Sequence, residues 1–136
     1  MRLFFVDKSK KLDYYIDILY IDILHKGGYK VDRSLTSGSM GMMLLKLLSE
    51  KDMYGYEMIE TLRQRSQNVF ELKAGTLYPL LHNLEAKGYL SSYEQEKNGK
   101  TRVYYSISKQ GKSFLKEKTE EWDVYVRAVS NVLSMS

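Results

Sequence analysis

Between residues 89 and 107 the chain changes its period. Leu90 in one run, and Val103, Tyr105 and Ile107 in the next, alternate with polar neighbours as in strands with one buried face, and Lys97-Asn98-Gly99-Lys100 stands between the two runs. Asn-Gly at such a junction is the strongest short signal for a type I′ hairpin, because both central residues must adopt positive φ. A lone two-stranded hairpin is marginal in water. Its neighbours in the chain must therefore supply the core on which it rests.

Those neighbours read as helices. Residues 39–49, Ser-Met-Gly-Met-Met-Leu-Leu-Lys-Leu-Leu-Ser, are good helix formers and too apolar for an exposed helix, which predicts a buried one. Tyr54-Gly55-Tyr56 opens an amphipathic segment reaching about Ser66, with Met58, Ile59 and Leu62 on one side. From Gly75 to Lys87, Leu77, Leu80, Leu81 and Leu84 fall at i, i+3, i+4 and i+7, and Gly88 supplies a stop. After the hairpin, Ser108 can cap a last helix with Phe114, Leu115, Trp122, Val126, Val129 and Leu133 spaced near three and a half. At about 25 residues it would reach roughly 37 Å, too long for so small a body to cover. Its apolar stripe calls for a partner.

The first 36 residues carry a weaker pattern. Leu12, Tyr15, Ile16, Leu19 and Ile23 predict a helix over about residues 9–25, although Ile16-Asp17-Ile18-Leu19 and Ile21-Asp22-Ile23-Leu24 also alternate like a strand; Gly27-Gly28 ends it, and 29–38 read as a linker. The expected fold is mainly α with a small β-hairpin (α+β). It divides into an N-terminal extension over 1–36, a hairpin-bearing helical domain over 37–108 and a C-terminal dimerisation helix over 109–136.

Composition narrows the function. Zero cysteines exclude a disulfide scaffold, a thiolate metal site and a Cys nucleophile, and agree with a reducing cytoplasm, where the chain is expected. His25 and His82 are the only histidines, far apart and outside any HExxH pattern, so no metal is expected. Gly38-Ser39-Met40-Gly41 is neither a P-loop nor GxGxxG, so no cofactor is expected and an enzyme is the minority reading. No apolar run approaches the roughly 20 residues that span a bilayer. Asp7 and Lys8 cut short the apolar start after Met1-Arg2, leaving no secretory signal. The net charge is +4, with seven positive against five negative residues over 1–36 and four against two over 89–110, while 37–88 and 111–136 are balanced. A local basic excess on a hairpin favours a phosphate-bearing partner.

Three helices followed by a hairpin with a basic tip is the order of a winged helix-turn-helix, in which the third helix enters the major groove and the wing touches the backbone or minor groove. Residues 37–133, about seventy per cent of the chain, resemble the PadR family of bacterial transcriptional regulators. The resemblance is carried by Tyr54-Gly55-Tyr56-Glu57, by Gly75-Thr76-Leu77-Tyr78-Pro79-Leu80-Leu81 through Leu84-Glu85-Ala86-Lys87-Gly88-Tyr89-Leu90, and by Arg102-Val103-Tyr104-Tyr105-Ser106-Ile107-Ser108-Lys109-Gln110-Gly111, in family order. It implies a dimeric DNA-binding repressor, often of genes for detoxification or drug efflux, with the C-terminal helices forming the dimer contact; release by a small effector is the leading expectation. Lys73 departs from the family, standing where Ser or Thr is usual; it loses a capping oxygen and gains a charge for a phosphate.

The residues support those roles on their own. The third helix turns its leucines to one face and leaves Gly75, Tyr78, Pro79 and His82 on the other, with Thr76 at the flank; Lys73 precedes it. Free N–H groups at its start suit a phosphate, and Thr76 and Tyr78 bring hydroxyls. Alternatively Gly75 serves only a turn, Tyr78 packs on the wing and Pro79 shapes the helix. On the wing, Lys100 and Arg102 are candidates for phosphate contacts, against the plainer reading of a solvated turn; Arg63 and Arg65 could also reach a backbone or simply face solvent. Trp122 is a dimer anchor by its position on the stripe, and the resemblance adds stacking on a small aromatic effector, with Phe114, Tyr125 and Met40, Met42 and Met43 near it or in the core. Two other functions stay open: a regulator without a small-molecule pocket, controlled by a partner or the N-terminal segment, and an interaction module that binds no DNA.

Overall fold

A computed structural model describes residues 38–134, together with Val31 and Thr36. The helix expected over 9–25 lies outside the described residues, as does most of the expected linker. In chain order the elements are α1 (Met40–Glu50), β1 (Met53–Tyr54), α2 (Gly55–Arg65), α3 (Ala74–Ala86), β2 (Leu90–Lys97), β3 (Lys100–Ile107) and α4 (Lys109–Leu133). This is the expected α+β winged helix, with each helix within a residue or two of its expected bounds.

Helix α1 is the centre of the packing. It buries Met40, Leu44, Leu45, Leu47 and Leu48, a set too wide for one stripe, and it touches α2, α3, β3 and α4. Met58 and Leu62 of α2 and Leu77, Leu81 and Leu84 of α3 close on it, joined by Met53, Leu90 and Tyr105 from the sheet. Full burial of each such side chain contributes roughly 1.5–3 kcal/mol. The three leucines of α3 fix which way that helix faces.

The sheet holds one strand more than the periodicity predicts. Met53 and Tyr54 pair with Tyr105 and Tyr104, giving the order β1-β3-β2. Two residues are too short to show a period, so β1 is invisible in sequence. β2 and β3 pair from Leu90↔Ile107 to Lys97↔Lys100, so only Asn98 and Gly99 lie between them, at φ 54° and 76°. Both strands thus run further into the turn than expected, as a type I′ loop requires. Directly paired residues share a face. Met53, Tyr105, Leu90 and Ile107 turn to the core, while Tyr54, Tyr104, Tyr93, Arg102 and Lys97 turn away from it.

The ends of α2 and α3 use the same closure. After α3, Gly88 N–H bonds to Glu85 O and Tyr89 N–H to Leu84 O, each at 2.9 Å, with Gly88 at φ 81°. After α2, Gln67 and Asn68 N–H bond to Gln64 O and Arg63 O at 3.1 and 2.8 Å, with Gln67 and Asn68 at φ 52° and 70°. Both are Schellman closures.

A clasp then joins α3, the sheet and α4. Ser108 caps α4, its Oγ accepting from Gly111 N–H at 3.0 Å and donating to Gly88 O at 2.6 Å. Tyr89 stacks on Phe114, ring centroids 4.2 Å apart. Gly111 is buried so closely that a Cβ there would lie 2.0 Å from the Tyr89 carbonyl oxygen. Backbone cannot yield as a flexible side chain does, so Gly111→Ala should destabilise the fold by more than about 2 kcal/mol, in urea unfolding of the full chain. A loss below about 0.5 kcal/mol would mean that α4 is not seated this way.

Candidate nucleic-acid interface

Gly75, Tyr78, Pro79 and His82 lie exposed on α3, Thr76 is half-buried at the flank, and Lys73 is exposed at the N-cap. Lys73 is extended and provides no side-chain cap; its carbonyl accepts from the N–H groups of Thr76 and Leu77, each at 2.9 Å. Pro79 sits within the helix and has no N–H, which deprives the Gly75 carbonyl of its i+4 donor. Tyr78 divides its side chain between solvent and protein. Its residue is 40% exposed, yet its hydroxyl lies against α2, where a Cβ on Gly55 would come within 2.4 Å of it. Tyr78 also lies near Tyr105, whose phenol is pushed up chiefly by burial and further by Tyr78 and Glu85. The packing alternative raised for Tyr78 thus involves α2 and the sheet base, while its ring remains on the exposed face.

The wing separates its charges by face. Lys97 and Lys100 are directly paired and Gln95 pairs Arg102, which puts the three cations on one side; Glu94, Glu96 and Val103 take the other. The Arg102 guanidinium lies 4.6 Å from the ring centroid of Tyr54, and Lys97 Nζ lies 5.3 Å from that of Tyr104. Beneath them Tyr54 meets Tyr104 edge-on at 5.5 Å, and Tyr93 stacks on Tyr104 at 5.8 Å. Tyr93 Oη–H donates to Asp52 at 2.6 Å, and that bond to a carboxylate raises the phenol's pKa.

Around α1 and α2 the cations are paired with nearby acids. Arg63 bonds Glu60 and Asn68, each at 2.8 Å; Arg65 bonds Glu50; Lys51 pairs with Glu57 at 2.6 Å. Arg65 holds the Glu50 carboxyl below its ordinary value, and Arg63 does the same for Glu60. Such exposed pairs add at most about 1 kcal/mol each, but they neutralise α2. Arg63 and Arg65 are thus held in local pairs, an arrangement that neither expected alternative named. Among the described residues Lys97, Lys100 and Arg102 form no ion pair.

Trp122 is half-buried and borders a groove of about 330 Å³ between α1, α3 and α4, with Met42, Leu80, Leu84, Phe114 and Tyr125 as apolar walls and Asn83, Lys87, Lys118 and Glu121 at its edge. Met42, Phe114 and Tyr125 thus share its space as sequence suggested, whereas Met40 is core and Met43 packs against the core. The cation seats on Tyr54 and Tyr104, the Tyr93–Asp52 bond and the Gly55 contact escaped the sequence reading. Their one trace is the number of tyrosines, twelve in the chain. Among the described residues no three metal-ligating side chains gather, and no helix is long and apolar enough to cross a membrane.

A pattern described as the transcriptional regulator PadR-like family matches residues 44–117, more than half of the chain. The chain belongs to the PadR-like family of transcriptional regulators. An uncharacterised protein of Lysinibacillus sphaericus is 36% identical over 93 residues, 68% of this chain and 85% of that one. The transcriptional regulator YqjI of Escherichia coli K12 is 28% identical over 96 residues, 71% of this chain but only 45% of its own length. Among solved structures, a transcriptional regulator from Clostridium thermocellum superposes with a TM-score of 0.70 at 33% identity, covering 74% of this chain and 99% of that one. The protein is therefore a winged-helix transcriptional regulator, and members of its family are regulators rather than enzymes.

Within this PadR-like domain Gly75 separates the two readings of the α3 face. A Cβ there meets nothing within 4 Å, and alanine in a helix is favoured over glycine by roughly 1 kcal/mol. Gly75→Ala should raise thermal stability slightly. A simultaneous loss of DNA affinity in an anisotropy titration would show that the missing side chain serves close approach, while unchanged affinity would reduce Gly75 to a local helix residue.

Proposed function

We propose that the protein is a dimeric repressor that reads an operator with the exposed face of α3, holds the backbone with its wing and is released by a small planar aromatic effector. The observation that carries the DNA reading is a wing whose cations form no ion pair among the described residues, while those of α2 do. Lys73, Gly75, Thr76, Tyr78, Pro79 and His82 would form the groove-facing surface, with Lys100 and Arg102 on phosphates. The dimer is supported by α4. Past Trp122 it exposes Tyr125, Val129, Val132 and Leu133 by 59, 38, 84 and 73%, an i, i+4, i+7, i+8 apolar stripe. The divisions 37–108 and 109–136 are proposed as DNA-binding and dimerising parts, and 1–36 as a segment dispensable for DNA recognition.

Two-fold symmetry would place the operator half-sites as an inverted repeat about 10 bp, or a multiple of it, apart. DNA fragments selected by the full chain at physiological salt test this; a site without dyad symmetry would refute it. On the selected site, Thr76→Ala and Tyr78→Ala should weaken specific binding more than nonspecific, whereas Lys100→Ala and Arg102→Ala should weaken both and lower the salt slope by about one each. Equal effects from all four would contradict the assignment. The operator-linked transcript should rise on deletion of the gene; a fall would make the protein an activator.

Effector binding rests on Trp122 and the apolar groove it borders. A planar aromatic compound that enters should quench the emission of the chain's single tryptophan and weaken operator binding in the same titration. Trp122→Ala should lose the quench's functional counterpart, the compound's effect on DNA, while remaining a dimer. Planar dyes that leave emission unchanged would favour a regulator without a small-molecule pocket.

A further inference from the structure

We propose that the wing meets the phosphate backbone with one face only, the Lys97–Arg102 face, and that Tyr54 on the edge strand β1 is a positioning residue for Arg102. This rests on the DNA-binding reading above and adds a role that no contact with DNA would give Tyr54.

Strand register places Tyr54 opposite Tyr104 and diagonal to Arg102 on the same face, within reach of a long side chain. The guanidinium is centred 4.6 Å from the Tyr54 ring centroid. A guanidinium resting on an aromatic face keeps its N–H donors at the rim, free for a phosphate, and loses fewer rotamers when it binds one. Lys97 over Tyr104 is the same device nearer the tip. The seats themselves are held: Tyr104 is only 5% exposed, and Tyr93 beside it is tied to Asp52. The opposite face carries Glu94 and Glu96, which would repel a phosphate backbone. One side of the hairpin is thus suited to phosphate and the other is not.

Fluorescence anisotropy of the full chain on a random-sequence 20-bp duplex, at fixed salt and across a salt series, tests both parts. Tyr54→Phe keeps the ring and should bind like the wild type. Tyr54→Leu, and pentafluorophenylalanine at position 54, which keeps the shape but removes the negative ring face, should each weaken binding about two- to five-fold. In an Arg102→Ala background these losses should vanish, because Tyr54 acts through Arg102. If Tyr54→Leu fails to fold, the fluorinated variant decides. Additive losses, equal losses from Tyr54→Phe and Tyr54→Leu, or unchanged binding on fluorination while Arg102→Ala weakens it, would overturn the positioning role. For the single-face claim, Glu94→Gln with Glu96→Gln should leave the salt slope unchanged within the error of one contact, whereas a slope steepened by one or more would overturn it. A wild-type chain that fails to bind the duplex would overturn the DNA reading itself, an outcome separate from all of these.

Discussion

Helix α1 is apolar on more of its circumference than a surface helix allows, and the remaining elements are arranged to cover it. Leu44, Leu45 and Leu48 are shielded from different sides by α2, α3, β3 and α4. Because cores are close-packed, this fixes the orientation of α3 as well as its position. Leu77, Leu81 and Leu84 can all reach the core only if Tyr78, Pro79 and His82 face outward. The exposed face of α3 is therefore a consequence of burying α1. A change there would be tolerated by the fold, while a change on the leucine face would rotate or loosen that whole exposed face.

Charge is distributed by a similar economy. Around α2 and the end of α1, Lys46, Arg63 and Arg65 each meet Glu50 or Glu60, and those ion pairs contribute little stability at such exposure. On the wing, Lys97, Lys100 and Arg102 form no ion pair among the described residues. The pleat of the hairpin sorts Lys97, Lys100 and Arg102 from Glu94 and Glu96 without any special device beyond the period of two. A shift of one residue in register would mix the two sets, so the Asn98-Gly99 turn, by fixing register, also fixes the electrostatics of the wing.

Legibility in the sequence followed the length over which a pattern repeats. The leucines of α3, the Asn98-Gly99 turn, the Ser108 cap and the stripe of α4 each repeat or follow a rule with a local cause, and each matched within a residue or two. β1 was hidden because two residues have no period, and with it went the Tyr54 seat for Arg102, which depends on strand order rather than spacing. Gly111 and Gly55 stood in the quoted motifs, yet what they accommodate, the Tyr89 carbonyl and the Tyr78 hydroxyl, comes from distant parts of the chain. Close approach between remote segments leaves no local trace except a glycine. For the same reason Trp122 could be placed on a stripe but not against α3.

That last placement bears on how a site on α4 would reach the exposed face of α3. The groove beside Trp122 is walled on one side by Leu80, Asn83, Leu84 and Lys87, the back and C-terminal end of the helix whose front carries Tyr78 and His82. The clasp of Ser108, Gly111, Tyr89 and Phe114 ties the start of α4 to the end of α3, so the two helices cannot separate freely at that end. An object wedged between them near Trp122 could be accommodated only by pivoting about the clasp or by displacing the Phe114 and Tyr125 rings. The pivot would change the angle between α4 and α3. In a dimer joined through the distal part of α4, a small change in that angle would be converted into a change in the separation of the two reading helices, because the long helix acts as a lever from the clasp. Packed interfaces respond to such a wedge in steps rather than by smooth deformation. The physical requirement for release by an effector is thus modest: differential affinity for one setting of the α3–α4 angle over the other.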